Sequence, residues 1–146
     1  MPFARSFAVT LLLLLPLAAC TRSEGHADEV VGPGVPFVAG SFDEALARAR
    51  SENRLLMVDV YTDWCGWCKK LDREVFASAR VADAARGIVA VRVNAEKGGE
   101  DVARRYEVDG YPTVLFVDGA GRLVKRVEGY VDVSEMVRIL SSLPGR

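Results

Sequence analysis

Leu55-Leu56-Met57-Val58-Asp59-Val60-Tyr61-Thr62-Asp63-Trp64-Cys65-Gly66-Trp67-Cys68-Lys69-Lys70-Leu71 reads as a strand, a short turn and the first turns of a helix. An aliphatic run carries the chain to Cys65, and the helix opens beneath its sulfur. Unpaired N–H groups and the helix dipole favour a thiolate at such a position. The thiolate is the species that attacks disulfides. Two cysteines with a two-residue spacer also occur in zinc sites, but structural zinc takes four ligands. This chain has three cysteines and one histidine, and Cys20 and His26 lie in a leader and linker, so no second ligand pair exists and no metal is expected. Covalent haem attachment needs a histidine after the second cysteine, and Lys69 stands there. An inert disulfide across so short a loop constrains the unfolded chain little. Thiol–disulfide exchange through Cys65 and Cys68 is the better explanation.

The N-terminus bears on the compartment. Residues 1–19 contain one charged side chain, Arg5, followed by an apolar run from Phe7 to Leu17. That run falls short of the ~20 residues a membrane span requires. It matches a secretory signal peptide, with a basic start and a short hydrophobic region. Leu17-Ala18-Ala19-Cys20 resembles the bacterial lipobox, in which the cysteine is acylated and becomes the first residue of the mature chain. The competing reading is an ordinary signal with an incidental cysteine. With Cys20 acylated, Cys65 and Cys68 are the remaining thiols, and an exported location permits disulfides. Thr21, in place of an aspartate, weakly favours the outer membrane. The domain is expected to face the periplasm or the cell exterior.

Residues 20–36 read as the lipidated cysteine and a Gly/Pro-rich polar tether, and residues 37–146 as one domain. The chain holds 19 basic and 20 acidic residues, and loss of Arg5 with the leader leaves 18 and 20, a net charge of −2. Nothing in that overall charge attracts nucleic acid or an anionic surface, and a monomer is expected. Within the domain, Phe37-Val38 is a short strand. Ser41 with Glu44 forms a capping box for a helix over 42–52. Residues 54–61 read as a central strand buried on both faces. A helix is predicted over 66–76, and a second from Ser78 to about Gly87. Strands are predicted over 88–93, 113–117 and 123–127, the last two joined by Asp118-Gly119-Ala120-Gly121. Helices are predicted over 99–106 and 134–143. This order implies an α/β fold, a mixed sheet between helices.

With these elements laid out, residues 37–143 resemble the thioredoxin superfamily. The resemblance rests on Val58 through Lys69, including an acid six places before the first cysteine, Asp59, and Trp64 immediately before it. Val91-Arg92-Val93-Asn94, Gly110-Tyr111-Pro112-Thr113 and Gly129 match further family positions. Trp67 replaces the proline of ordinary cytosolic thioredoxins. The segment from Cys68 to Phe76 looks like the branch containing small exported thioredoxin-like proteins and the C-terminal periplasmic domain of the transmembrane thiol reductant transporter. Arg92 stands where many members have lysine, and an arginine keeps its charge where a lysine could titrate with the acid.

The resemblance implies roles. Cys65 is the exposed nucleophile, and Cys68 the buried resolving thiol with which it forms the disulfide. Asp59 is the proton acceptor, its carboxyl raised by burial. Pro112 is cis, and the Tyr111 backbone pairs with an extended substrate. Gly66, Trp64, Trp67 and Tyr111 form the substrate-binding rim, with part of Trp64 allowed for in the core. Lys69 and Lys70 either add positive potential near the thiolate or are plain exposed residues. His26 has no catalytic role. No cofactor is implied. The expected partners are protein thiols and disulfides, a membrane or periplasmic redox partner, and the membrane itself through the lipid on Cys20. The leading reading is a reductase of protein disulfides. A disulfide oxidase or isomerase, and a non-catalytic adaptor lipoprotein, are the alternatives.

Overall fold

The structure, a computed structural model, describes residues 34–145, so the expectations for the leader, for Cys20 and for His26 lie outside the described residues. Its elements run in chain order: β1 (Phe37–Val38), α1 (Phe42–Ser51), β2 (Leu55–Tyr61), α2 (Gly66–Leu71), α3 (Ala79–Ala84), β3 (Ile88–Asn94), α4 (Glu100–Arg105), β4 (Thr113–Val117), β5 (Leu123–Glu128) and α5 (Val133–Ser141). The five strands form one sheet in the order β1-β3-β2-β4-β5. β1 and β2 run parallel to β3, and β4 runs antiparallel to both β2 and β5. This is the expected mixed sheet between helices.

Side-chain alternation along the central strands builds two cores. Leu56, Val58 and Val60 of β2 and Val89, Val91 and Val93 of β3 face α1 and α4, where they meet Ala45, Leu46, Ala49 and Val102. Met57 of β2 and Ala90 of β3 face the other way, toward Leu71, Val75, Phe76, Met136 and Leu140. Burying one such aliphatic side chain contributes about 1.5–3 kcal/mol. On that second face β2 also carries Asp59, and its register partner on β3 is Arg92.

Helix ends follow local chemistry. Ser41 caps α1 as expected, its hydroxyl accepting from Glu44 N while the Glu44 carboxylate accepts from Ser41 N. Asp132 caps α5, which starts at Val133, one residue before the predicted start at Ser134. Ser78 sits at the start of α3 but makes no side-chain cap. In the β4–β5 turn, Asp118 Oδ1 accepts from Ala120 N and Arg122 N, and Gly121 adopts φ +77°, a conformation that favours glycine.

Two expectations are corrected. The helix predicted over 66–76 is α only to Leu71, and Asp72–Phe76 is a π turn in which Ala77 N donates to Asp72 O at 3.0 Å. Val35, assigned from sequence to the tether, is buried in the core, and its N–H donates to Phe76 O at 2.7 Å. Its apolar side chain fits beneath the π turn, so the domain begins before residue 37. Among the described residues, no helix is long and apolar enough to cross a membrane.

Candidate active site

β2 ends at Tyr61, and three residues of turn bring Cys65 to the start of α2. Cys65 and Cys68 are joined in a disulfide, with Cα atoms 5.3 Å apart. Cys65 Sγ occupies the N-cap position, accepting a hydrogen bond from Cys68 N at 3.0 Å. The expected contrast in exposure is absent: Cys65 is 4% exposed and Cys68 is 3%. In this bonded form the two residues are equally buried, and the cap hydrogen bond is what distinguishes them. Gly66, the first residue of α2, is exposed, and a Cβ there would meet nothing within 4 Å.

Asp59 is 1% exposed. Its Oδ2 accepts from Arg92 Nε at 3.1 Å, while Oδ1 has no hydrogen-bond partner among the described residues. Burial pushes its carboxyl up to about 6, against the pull of the Arg92 guanidinium and with a further rise from the charge of Asp72. Arg92 reaches on to Asp72, its Nη1 lying 3.1 Å from Oδ1, and its guanidinium lies over the rings of Phe37 and Tyr61. Asp72 is the first residue of the π turn, so the buried acid is linked to the end of the helix that carries Cys68. Spacing offered a signal for Asp72, which lies four residues after Cys68 and so on the same helix face.

The Tyr111–Pro112 peptide bond is cis. Pro112 O accepts from Gly129 N at 2.8 Å, and Gly129 has φ +76°, tying the loop before β4 to the end of β5. Two aromatic pairs rise beside the disulfide. Trp64 meets Tyr111 edge to face at 6.0 Å, and its indole N–H donates to both carboxylate oxygens of Glu96 at 3.0 Å. Trp64 is 66% exposed, so no large part of it enters the core. Trp67, 58% exposed, lies 5.7 Å from the Tyr130 ring, and Lys70 Nζ sits over both rings. Tyr130 OH donates to Glu74 Oε2 at 2.9 Å, and that carboxylate raises the phenol above its usual range. Lys69 is exposed near Asp63, whose carboxyl is held below its usual range chiefly by the Lys97 hydrogen bond. Tyr130 and Glu96 were missed in sequence. Tyr130 follows the glycine singled out at 129, a usable signal, whereas nothing local marked Glu96.

Residues 42–144 match the model of the thioredoxin-like domain family. The thiol:disulfide interchange protein DsbD of Klebsiella pneumoniae is 36% identical over 97 residues, 63% of this chain and 16% of that protein. The chain spans only 16–26% of the length of the curated relatives it matches. Among solved structures, a candidate disulphide-isomerase from Bacteroides thetaiotaomicron is 38% identical with a TM-score of 0.66, covering 79% of this chain and 99% of that one. The C-terminal domain of Neisseria meningitidis DsbD, at 22% identity, shares the fold with a TM-score of 0.58, covering 69% of this chain and 92% of that one. On the strength of the match across nearly all of the described residues, this chain belongs to the thioredoxin-like family.

Proposed function

We propose that this chain, a thioredoxin-like thiol–disulfide oxidoreductase, is exported, anchored through a lipid on Cys20, and works mainly as a reductase of protein disulfides. Residues 1–19 act as the leader, and the lipidated Cys20 and a tether that ends before the buried Val35 follow it. The observation that carries the reading is a bonded Cys65–Cys68 pair at a helix start, with a buried acid titrating near 6 in the strand that leads to it.

In the reduced protein, the Cys65 thiolate attacks one sulfur of a client disulfide. A Cys65–client bond forms, and the other client sulfur leaves as a thiolate. Cys68 then gives its proton to Asp59, directly or through water, and attacks Cys65 Sγ. The client's second sulfur leaves, Cys65–Cys68 is left oxidised, and two electrons have passed to the client. A dithiol-bearing membrane or periplasmic partner restores the reduced pair. The rim of Trp64, Trp67 and Tyr111, with the exposed backbone at Gly66, receives the client, and the backbone before Pro112 pairs with its extended chain.

An insulin-reduction assay tests the activity, and a Cys65–Cys68 reduction potential near or below the reducing end of the family range, about −270 mV, is the expected result. A potential near −120 mV would assign the chain to net oxidation. The likeness to a candidate disulphide-isomerase favours isomerisation as the second reading. Scrambled-ribonuclease refolding, faster than insulin reduction at equal protein, would establish it.

A further inference from the structure

The sheet gives the molecule two poles. β2 runs from Leu55 toward Cys65, and β4 runs antiparallel to it, with Val117 opposite Leu56. The end of α1, the β4–β5 turn and Leu55 therefore share the pole away from the disulfide. The six steps along β2 from Leu55 to Tyr61, at about 3.3 Å each, separate the poles by about 20 Å. At the far pole a groove of about 500 Å³ is lined by Arg50, Arg54 and Arg122, with Asp118 the one carboxylate in its wall. Asp118 is already committed: it closes its own turn and pairs with Arg122 Nε at 2.7 Å. Arg50 Nε donates to the Gly119 carbonyl, and Arg54 Nη2 to the Ile88 carbonyl, while Arg54 Nη1 pairs with the Glu52 carboxylate beside the groove. Arg54 Nε is buried with no acceptor among the described residues. The groove thus sets three guanidiniums against two carboxylates, Asp118 and Glu52, and leaves Arg50 with no carboxylate partner among the described residues; the donors these side chains do not use suit phosphate oxygens. Two of the guanidiniums are fixed by backbone carbonyls.

The described chain starts at the same pole. β1 is parallel to β3 with Phe37 opposite Ala90, so Val35 and Pro36, the described residues just before β1, lie toward the Ile88 end of the sheet. In sequence they lead back to Cys20. We propose that this arginine-lined pole rests on the phosphate headgroups of an anionic phospholipid surface and turns the Cys65–Cys68 pole away from the membrane. The inference builds on the lipidation reading, because the tether keeps the surface within reach at high effective concentration. Orientation then needs far less attraction than recruitment does. A basic side chain at an anionic surface contributes enough for about fivefold each. The net charge of the chain, which is slightly negative, hides this local excess.

The test uses the acylated full chain in nanodiscs carrying a gadolinium lipid, with amide broadening read by NMR. In phosphatidylglycerol discs, Asn53, Gly119 and Ala120 should broaden at least about threefold more than Trp67 and Tyr130. The contrast should vanish in phosphatidylcholine discs, in 1 M salt, where screening falls to about 3 Å, and in Arg50→Gln/Arg122→Gln. Equal broadening at both poles in phosphatidylglycerol, or the same contrast in phosphatidylcholine, overturns the proposal. So does a shift of these amides by inorganic phosphate without any difference between the two discs, which would mean a small-anion site. Mass spectrometry of Cys20 tests lipidation separately. If Cys20 is unmodified, the oxidised chain coupled at Cys20 to a maleimide lipid carries the same measurement.

Discussion

Leu56, Val58 and Val60 on one face of β2 are fully buried among aliphatic neighbours, whereas Asp59, on the other face, is almost as deeply buried and ionisable. The first face is chemistry-free, and its contribution is packing. The second gives up some of that stability to hold an acid beside the redox helix. An acid whose folded pKa is raised binds its proton more tightly in the folded state. It therefore contributes stability below about pH 4, and that contribution is lost as pH rises through about 6. At neutral pH, Asp59 costs the fold up to about 3 kcal/mol, the worth of roughly two pH units.

That contrast can be broken in graded steps. Cys65→Ser should remove client reduction by at least about three orders of magnitude, whereas Cys68→Ser should accumulate a mixed disulfide through Cys65. Non-reducing gels with a protein client read the difference, and equal trapping by both variants would end the assignment of unequal roles. On the aliphatic face, Leu56→Ala should cost about 2–5 kcal/mol in urea unfolding. The folded fraction should keep the wild-type pH profile. A shifted profile would mean that the two faces are not separable.

Asp59→Asn should do the reverse. Exchange should slow by about tenfold to a hundredfold near pH 7.5, and the inflection near pH 6 should disappear. Stability at that pH should rise by up to about 3 kcal/mol, with the gain shrinking as pH falls toward 4. A variant less stable than wild type at pH 7.5 would contradict the burial argument. The smallest change is expected at Arg92. Its charge pulls the Asp59 carboxyl down, so Arg92→Gln should move the inflection above 6, and Arg92→Lys should move it by less. The pH–rate curve measures both, and a downward shift in either would reverse the sign assigned to the Asp59–Arg92 pair.

Much of this was legible in the chain because local rules and packing agree. The Ser41–Glu44 box, the aliphatic run of β2 and the Asp118–Gly121 turn each specify their element through nearby atoms. The mixed sheet between helices followed from the order of strands and helices along the chain. What was not legible depends on contacts across the chain. Asp72–Phe76 has the same apolar spacing whether its hydrogen bonds span four residues or five, so the π turn left no mark in the pattern. Glu96 gains meaning only through the Trp64 indole, 32 residues away. The equal burial of Cys65 and Cys68 depends on packing around the pair that their order in the chain does not report. Val35 looked like tether because glycine and proline surround it, and its burial follows from the underside of the π turn.

The pairing of Asp59 with Arg92 is also a statement about counting. They are direct register partners on parallel strands, and both point to the face that carries α2. Inserting or deleting one residue within either strand would flip that strand's remaining side chains to the opposite face. The acid or the arginine would then face the aliphatic core with no partner. Between β2 and β3, the connection that follows the Cys65–Cys68 helix and its π turn, from Ala85 to Gly87, can change length without that penalty. Natural length variation should therefore gather in the connections, while the span from Leu55 to Tyr61 and that from Ile88 to Asn94 keep their residue number.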